Sequence, residues 1–429
     1  MPPQSRARAA SAAAYLASRT RFGVKFGLET VRAMTRAQGH PELAYPTLLV
    51  AGTNGKGSVV AYVDAALRAS GLRVGRYTSP HLVRVNERIV VDGDEISESG
   101  LEEAVAEVRR TAEALVRAGE IPAHPTYFEA LTVAAFSHFR RERVDVAVLE
   151  VGMGARLDAT NVCEPLASAI VSVDLDHEVY LGQTLAAIAL EKAGVLRAGR
   201  ATVLGRQRPE ARRAIAERAA ALGARLVDAG EGARVLGDEA RLVIETPLAR
   251  YEGLRALPGR HQRRNLLVAL RLLEEVRGEL ALDLDALPAG LSKAYWPGRL
   301  EWVPGDPPLL LDGAHNPAGA RALAAHLRGL RPFTLLFGVM RDKNVEALAR
   351  ILFPLADTLV LTRPRVGRAA DPTEIVERAG GLADRARREA DPRKALALAR
   401  ELARRGRPVV VAGSLYLVGE VKKALTRPS

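Results

Sequence analysis

The 429-residue sequence is poor in cysteine, in aromatic residues and in long apolar runs. Its one cysteine, Cys163, excludes an intramolecular disulfide and a cysteine-based zinc cluster. No apolar run approaches the roughly 18 residues that predict a membrane-spanning helix. The first twenty residues lack the apolar core of a secretory signal. We therefore expect a cytoplasmic protein without a membrane partner.

Basic residues exceed acidic ones, with 62 Lys and Arg against 50 Asp and Glu and a formal net charge of +12. Such an excess can indicate nucleic-acid binding. Here the basic residues are dispersed, as in LEEAVAEVRRTAEALVRAGE, and aromatic residues make up only 4% of the chain. A basic stripe joined to a nucleic-acid-binding motif is missing. The positive charge is therefore better suited to polyanionic small substrates.

Apolar runs of strand length alternate with helical patterns, which predicts an α/β protein with parallel sheets. Strands are predicted at 46–52, 144–151, 167–173 and 201–205, and helices near 101–118, 127–141, 184–194 and 264–277. The segment ARVLGDEARLVIETPLARYEGL (233–254) has short β-type runs around GDE, followed by a proline. This pattern predicts a small antiparallel insert.

The segment WPGRLEWVPGDPP (296–308) is dense in proline and glycine and predicts a domain boundary. After it the alternation of strands and helices restarts. We predict a first domain over 1–297, with a P-loop-type, mostly parallel sheet and the small β insert. A smaller, Rossmann-like α/β domain is predicted over 298–429, within the usual domain size.

The stretch AGTNGKGS (51–58) predicts a phosphate site. A strand ends at Ala51, a glycine-rich turn follows, and a helix begins near Ser58. Backbone N–H groups at a helix N-terminus converge on anions, and glycines let the backbone approach them. Lys56 would neutralise phosphate charge. The spacing is shorter than in the usual P-loop, where four residues separate the first glycine from Gly-Lys.

Further polar residues follow other predicted strands. Glu150 lies near the end of a strand, where open α/β sheets place ligands, and a carboxylate there suits Mg²⁺. Ser79 and His177 come after two other strand-like runs. Lys192 lies among apolar residues in LAAIALEKAGVL, and a desolvated lysine has a lowered pKa. Its amine could react with CO₂ to give an anionic carbamate that binds Mg²⁺.

Nine motifs together resemble the folylpolyglutamate synthase/dihydrofolate synthase family, which is related to the Mur peptidoglycan ligases. They occur here in that family's order and spacing and cover residues 15–425. The motifs are AGTNGKGS, YTSPHL, LEVGMGARLDATN, DHEVYLGQT with ALEKAG, LPGRHQRRN, WPGRLEW, LDGAHNP, LFGVMRDKN and AGSLYLVGE. The phosphate loop of these ligases is the short Gly-Thr-x-Gly-Lys form.

The resemblance implies an ATP-dependent amide ligase. A folate-type carboxylate attacks the γ-phosphate of ATP, and L-glutamate displaces phosphate from the resulting acyl phosphate. The implied cofactors are ATP and two Mg²⁺ ions, with a monovalent cation as a further candidate. The implied partners are dihydropteroate or folate polyglutamates, L-glutamate and ATP, on a monomer. No nucleic acid is expected to bind.

The resemblance also implies roles for the matching residues. ATP binding is implied for Gly52, Thr53, Asn54, Gly55, Lys56, Gly57, Ser58, Asn265, Arg299, Asp312 and His315. Metal binding is implied for Ser79, Glu150, His177 and, as a carbamate, Lys192. Catalytic roles are implied for Lys192, His315 and Lys56, and folate contacts for Arg156, Asp158 and Phe128. Asp312 and His315 come from the second domain, so domain closure would complete the site.

Three alternatives stay open. The leading interpretation is a bifunctional enzyme that adds glutamate to dihydropteroate and extends folate γ-glutamyl chains, and the first alternative is folylpolyglutamate synthase only. The second is a Mur-type ligase acting on a UDP-sugar peptide, which the 45 or so residues before the first predicted strand disfavour, since they are too few for a UDP-binding domain. The third is a nucleotide-binding regulator without catalysis, which the apparent metal ligands disfavour.

Overall fold

The computed structural model describes residues 11–19, 27–403 and 406–426. The helices are α1 (Ala12–Arg19), α2 (Glu29–Ala37), α3 (Lys56–Ala69), α4 (Glu98–Arg117), α5 (Tyr127–Arg141), α6 (Glu178–Leu181), α7 (Leu185–Lys192), α8 (Pro209–Leu222), α9 (Gln262–Glu275), α10 (Leu287–Leu291), α11 (Pro317–Leu327), α12 (Val345–Leu352), α13 (Pro372–Ala379), α14 (Pro392–Leu402) and α15 (Leu415–Thr426). Much of the N-terminal segment that argued against a secretory signal lies outside the described residues. Within the described ranges, no helix has the length and apolar character needed to cross a membrane.

Three sheets organise the described chain. The strands are β1 (Thr47–Ala51), β2 (Val74–Tyr77), β3 (Ile89–Val91), β4 (Asp94–Glu95), β5 (Val146–Glu150), β6 (Ala167–Ile170), β7 (Ala201–Leu204), β8 (Arg225–Asp228), β9 (Arg234–Gly237), β10 (Leu242–Glu245), β11 (Arg250–Leu254), β12 (Glu301–Val303), β13 (Leu309–Leu311), β14 (Thr334–Phe337), β15 (Thr358–Leu361), β16 (Arg387–Arg388) and β17 (Val409–Ala412).

The largest sheet has eight strands in the order β4-β3-β2-β5-β1-β6-β7-β8. It is parallel from β2 to β8, and β3 and β4 add an antiparallel edge. All five residues of β1 are buried, as is typical of parallel strands covered by helices on both faces. Leu49 packs into the core beneath α5 and α7, and Val50 packs into the core beneath α3 and α9.

The predicted antiparallel insert is present. β9, β10 and β11 form a separate three-stranded antiparallel sheet in the order β11-β10-β9. Leu242, Ile244 and Tyr251 bury their side chains in the core beneath α3 and α9. The insert is therefore fixed to the large sheet by apolar packing.

The second sheet domain is the predicted smaller α/β unit. Its six strands run in the order β12-β13-β17-β14-β15-β16, and all neighbours are parallel except β12 with β13. Apolar cores lie on both faces. The mixed α/β class, with a mostly parallel first sheet and a second sheet domain, is confirmed.

The proline- and glycine-rich segment 296–308 is not a simple linker. It contains β12, whose Trp302 pairs with Leu310 of β13. Glu301 Oε2 accepts a hydrogen bond from the Gly298 N–H at 2.7 Å, which fixes the turn that precedes the strand. Proline and glycine thus lie at the turns on either side of an edge strand. The boundary between 297 and 298 stays a prediction.

The central strand β1 has β5 on one side and β6 on the other. The phosphate loop follows the carboxyl end of β1, Glu150 is the last residue of β5, and His177 lies in the segment after β6. Ligands of open α/β sheets bind in the crevice outside the carboxyl ends of the strands, at the point where the strand order reverses. The fold therefore brings the dispersed polar motifs to one edge.

Candidate active site

The loop between β1 and α3 is a turn at an uncapped helix N-terminus. α3 begins at Lys56, two residues before the predicted start, and no side chain caps its first turn. Its N–H groups are therefore left for an anion. Gly55 has a left-handed φ of 85°, and a Cβ there would lie 2.6 Å from Asn265 Oδ1. Both the turn and the neighbouring helix thus require glycine.

Hydrogen bonds to the segment after β6 fix the shape of this loop. The Thr53 and Asn54 N–H groups donate to the carbonyl oxygen and to Oγ of Ser172, at 2.7 and 3.0 Å. Thr53 Oγ1 donates to the Asp174 carbonyl at 3.2 Å. Ser58 Oγ accepts from Gln262 Nε2 at 3.1 Å. The predicted phosphate loop is therefore pre-shaped by its own domain.

Lys56 and the loop after β2 converge on Glu150. Lys56 Nζ lies 3.9 Å from Glu150 Oε1, and the Ser79 N–H donates to Glu150 Oε2 at 3.2 Å. Burial raises the pKa of Glu150, an effect that the Lys56 ammonium and the Ser79 N–H oppose. A buried carboxylate with two charge-stabilising neighbours is suited to a cation that would complete its neutralisation.

Lys192 is the last residue of α7 and is only 3% exposed. Its Nζ donates to the Gly52 carbonyl at 3.0 Å, so the amine points to the phosphate loop. Burial, and then the nearby Lys56 charge, lower the pKa of Lys192 to about 7. A large fraction of this amine is therefore neutral near pH 7, and the neutral amine is the form that reacts with CO₂.

His177 follows β6 in a left-handed conformation with φ of 53°. Burial lowers its pKa to about 4, which favours the neutral ring that binds metals. Its Nε2 lies 4.0 Å from Asp176 Oδ1. The His177 ring lines the same cleft as the phosphate loop.

The second domain contributes Asp312 and His315 after β13. Asp312 accepts hydrogen bonds from the Leu300 and Ala314 N–H groups at 3.0 and 2.9 Å, which ties the turn before β12 to the end of β13. His315 Nδ1 donates to the Gly313 carbonyl at 2.8 Å, and its Nε2 faces the Asp176 carboxylate at 3.6 Å.

Two further residues of the predicted nucleotide set come from opposite sides of the cleft. Asn265 Nδ2 donates to Gln262 Oε1 at 2.8 Å on α9. Arg299 Nη1 donates to the Gly298 carbonyl at 3.2 Å, in the turn that joins the domains. Both side chains line the cleft with the phosphate loop.

Asp176 connects the two domains and was missed as a site residue by the sequence reasoning. It accepts from Lys343 Nζ at 2.6 Å and from Asn316 Nδ2 at 2.9 Å, and its Oδ2 lies 3.6 Å from His315 Nε2. Burial alone would raise its pKa, but His315 and Lys343 hold the pKa of this carboxyl well below its usual range. The motifs DHEVYLGQT and LFGVMRDKN contained both partners, but no spacing rule connects residues so far apart.

A truncation should expose the energetic role of this interdomain pair. We expect Asp176→Ala to lower the free energy of unfolding by about 3 kcal/mol, because it leaves the buried Lys343 ammonium with only the more distant and exposed Asp342 carboxylate. Asp342→Ala is the matched control, since it removes an exposed carboxylate 3.6 Å from the same amine; its expected cost is below about 1 kcal/mol. Urea unfolding measures both, and equal costs would contradict the assignment.

The three predicted folate contacts differ in their surroundings. Asp158 is buried and accepts from the Met153 N–H at 2.9 Å and Thr160 Oγ1 at 2.6 Å, so it also holds its turn. Phe128 lies on α5 with its ring 6.0 Å from that of Tyr77. The exposed Arg156 pairs with Glu191 at 2.8 Å.

A single cleft of about 1400 Å³ joins these elements. Every predicted site residue except Arg156 lines it, from both domains. The interdomain contact is closed, since Asn54 and Asn316 exchange side-chain hydrogen bonds at 3.3 and 3.0 Å. The arrangement can hold a phosphorylated ligand between the phosphate loop and the second domain.

The donor atoms fit Mg²⁺ that is shared with phosphates. In the part of the chain that the structure describes, no cluster of three His, Cys, Asp or Glu side chains could hold a metal. Mg²⁺ in proteins usually keeps waters and takes one or two carboxylates plus substrate phosphates. One buried carboxylate, Glu150, beside an uncapped helix N-terminus matches that pattern.

Two family models match the chain. Residues 50–273 match the Mur ligase middle domain, and residues 298–415 match the Mur ligase, glutamate ligase domain. The two matches place the chain among proteins built from Mur ligase domains. A dihydrofolate synthase/folylpolyglutamate synthase of Bacillus subtilis (strain 168) is 35% identical over 96% of this chain and 98% of its own length. The chain belongs to the folylpolyglutamate synthase/dihydrofolate synthase family.

Other relatives agree with this placement. The chain is 37% identical, over 95% of its length, to a probable bifunctional folylpolyglutamate synthase/dihydropteroate synthase of Haloferax volcanii, but spans only 49% of that protein. It thus spans about half the length of some curated relatives. A crystal structure of Mycobacterium tuberculosis folylpolyglutamate synthase complexed with ADP and AMPPCP superposes with a TM-score of 0.88 at 33% identity, over 96% of this chain and 97% of that one.

Proposed function

We propose that this chain is an ATP-dependent amide ligase that adds L-glutamate to dihydropteroate and to the γ-carboxylate of folates. The observation that carries the proposal is the single cleft in which a phosphate loop, a buried carboxylate and a buried amine of lowered pKa meet the second domain. The Bacillus subtilis relative, named for both activities, supports the bifunctional form. Folylpolyglutamate synthase activity alone is the alternative.

The phosphate loop and Lys56 would bind the triphosphate, and Asn265 and Arg299 would line the nucleoside side. The folate carboxylate attacks the γ-phosphate, ADP leaves, and the glutamate amine displaces phosphate from the acyl phosphate. Lys56 would stabilise charge that develops on the transferred group, which is usually the largest contribution to catalysis. The second domain would exclude water that hydrolyses the acyl phosphate.

Two Mg²⁺ ions, held by Ser79, Glu150, His177 and the carbamate of Lys192, would supply neutralisation of phosphate charge. The carbamate forms when neutral Lys192 adds to CO₂ and loses a proton. It converts a buried cation into an anion at the place where cations are needed. His315 would be a candidate acid or base through Nε2, and a monovalent cation is a further candidate ligand.

Phe128 and Asp158 would lie on the folate side, since both line the cleft. Arg156 would act at its outer edge after releasing Glu191. We propose a cytoplasmic monomer without nucleic-acid or membrane partners. The single cysteine agrees with a reducing compartment.

Product analysis with two acceptors tests the function. Purified protein with ATP, Mg²⁺ and L-glutamate receives either dihydropteroate or tetrahydrofolate, and phosphate release and the glutamylated product are measured. We expect glutamate-dependent turnover with both. Turnover with tetrahydrofolate alone would remove the dihydrofolate synthase half, and phosphate release without glutamate dependence would contradict the ligase assignment.

A further inference from the structure

One loop of the first domain reaches into the second. It connects β2 to β3 and begins at Ser79, whose N–H donates to Glu150. At its tip, Leu82 packs against the second-domain core that contains Val418 of α15. The same leucine side chain lies 3.3 Å from the position that a Cβ on Gly298 would take, in the turn between the domains. The loop therefore touches a metal-site carboxylate at one end and the second domain at the other.

The loop is internally stiff. The N–H groups of residues 82–84 all donate to the Glu87 carboxylate, at 2.7 to 2.8 Å. Arg88 Nε donates to His81 Nδ1 at 2.9 Å, and the Arg88 carbonyl accepts from the Thr78 N–H at 3.0 Å. These bonds connect the tip of the loop at Leu82 to its base next to Ser79.

A glycine inside α15 receives the tip. A Cβ on Gly419 would lie 1.9 Å from the carbonyl oxygen of Leu82 and 2.8 Å from its carbonyl carbon. Glycine in a helix interior is less stable than alanine. The helix therefore accepts a local loss of stability at the point where the backbone of the other domain approaches it.

We propose that Leu82 and Gly419 are positioning residues that couple closure of the two domains to the placement of Ser79 beside Glu150. The inference rests on the proposed metal-binding role of Ser79. In the closed arrangement, α15 fixes the loop and its serine. When the domains separate, the loop loses this support. The metal site is then complete only after closure, whereas the backbone of the phosphate loop is held by Ser172 of the first domain and binds nucleotide without closure.

The test compares nucleotide affinity with and without metal. Calorimetry measures binding of a non-hydrolysable ATP analogue in Mg²⁺ and in a chelator, with no folate or glutamate present. For Gly419→Ala we expect the Mg²⁺-dependent gain in affinity to fall by about fivefold or more, with the metal-free affinity unchanged. Gly278→Ala is the matched control, because a Cβ there meets nothing within 4 Å. It should behave as the wild type.

Leu82→Ala is a second variant that removes the apolar anchor without inserting an atom, and it decides the test if Gly419→Ala does not fold. A shift in the same direction supports the coupling. Wild-type Mg²⁺ dependence in the folded variants, or a wild type whose nucleotide affinity ignores Mg²⁺, would overturn it. The measurement needs no ligase turnover, so failure of glutamate-dependent phosphate release would refute the proposed function separately.

Discussion

Lys192→Met is expected to lower kcat by about 10³-fold, comparable to the loss of a strong electrostatic group in an active site, while stabilising the fold. Methionine matches the lysine side chain as far as Cε and keeps the apolar packing of that stem. It removes the amine that donates to the Gly52 carbonyl and that would form the carbamate. Activity and stability should therefore change in opposite directions, which loss of packing would not produce.

The stability change should depend on pH with a defined sign. Folding lowers the pKa of Lys192 to about 7, against about 10.4 in an unfolded chain. Below pH 7 the buried ammonium imposes its full cost on the folded state. Between these two pKa values the unfolded chain binds more protons, so this cost declines as pH rises.

Lys192→Met removes that cost. In buffers free of CO₂, we expect the variant to be more stable than the wild type by on the order of 4 to 5 kcal/mol at pH 6, with the difference vanishing towards pH 10. Urea unfolding across this range measures it. Lys293→Met, at an exposed lysine outside the cleft, is the control and should change neither stability nor turnover.

The carbamate itself has a direct signature. Wild-type protein equilibrated with ¹³C-bicarbonate should give a carbamate carbon resonance, and Lys192→Met should not. Depletion of CO₂ should reduce wild-type activity, and bicarbonate should restore it. A variant that retains turnover within about tenfold of the wild type, far less than the expected electrostatic loss, would refute the role of this amine.

The buried strands were readable from the sequence because they are continuous apolar runs. TLLVA and VAVLE are buried at every position, so composition and length alone predict β1 and β5. The antiparallel insert was readable from its turn residues. Predicted ends were less accurate: the strand predicted at 167–173 ends at Ile170, after which the chain turns toward the phosphate loop.

The edge strands β4 and β12 could not be predicted from the sequence. Asp94 and Glu95 of β4 are both exposed and carry no apolar alternation. β12 lies within a segment whose prolines and glycines predict irregular structure. Such strands form because a neighbouring strand offers free backbone groups, and that opportunity depends on the tertiary fold.

The sequence predicts those parts of the candidate site whose residues are neighbours in the chain. The phosphate loop carries its own signature of glycines, lysine and helix start. Contacts between residues far apart in the chain have no such signature in the sequence. Trp296, for example, packs so closely on Gly57 that a Cβ there would lie 2.5 Å from the indole ring. Asp176 likewise meets Lys343 only after both domains have folded and closed. Such pairs can be identified only from the three-dimensional structure.

Lys56→Ala is expected to lower kcat/KM for ATP by about 10² to 10³-fold, the range for removal of one preorganised charge-stabilising group. The side chain lies 3.4 Å from the Thr53 carbonyl and 3.9 Å from Glu150. It is therefore held over the loop in which the phosphates would bind. Folate binding should persist, since that end of the cleft does not depend on this amine.

The loss of kcat/KM should be larger than removal of one phosphate contact would cause, because Lys56 also changes the pKa values of its neighbours. Its charge lowers the pKa of Lys192 and opposes the rise in the pKa of Glu150. Without it the Lys192 amine stays protonated to higher pH, so less of the proposed carbamate would form at neutral pH. We therefore expect the pH profile of kcat to shift to higher pH in Lys56→Ala. Loss of an ATP contact alone would not cause this shift.

Three measurements separate these contributions. Calorimetry gives ADP affinity without metal, steady-state rates give kcat and KM, and ¹³C-bicarbonate labelling gives the carbamate population as a function of pH. Lys56→Arg keeps the charge but replaces a compact ammonium by a planar fork, so it should preserve the pH profile while losing ATP affinity. Lys293→Ala removes one exposed positive charge and should match the wild type. Unchanged ADP affinity and unchanged turnover in Lys56→Ala would exclude this lysine from the site, whereas an unchanged pH profile would show that Lys192 ionises independently of it.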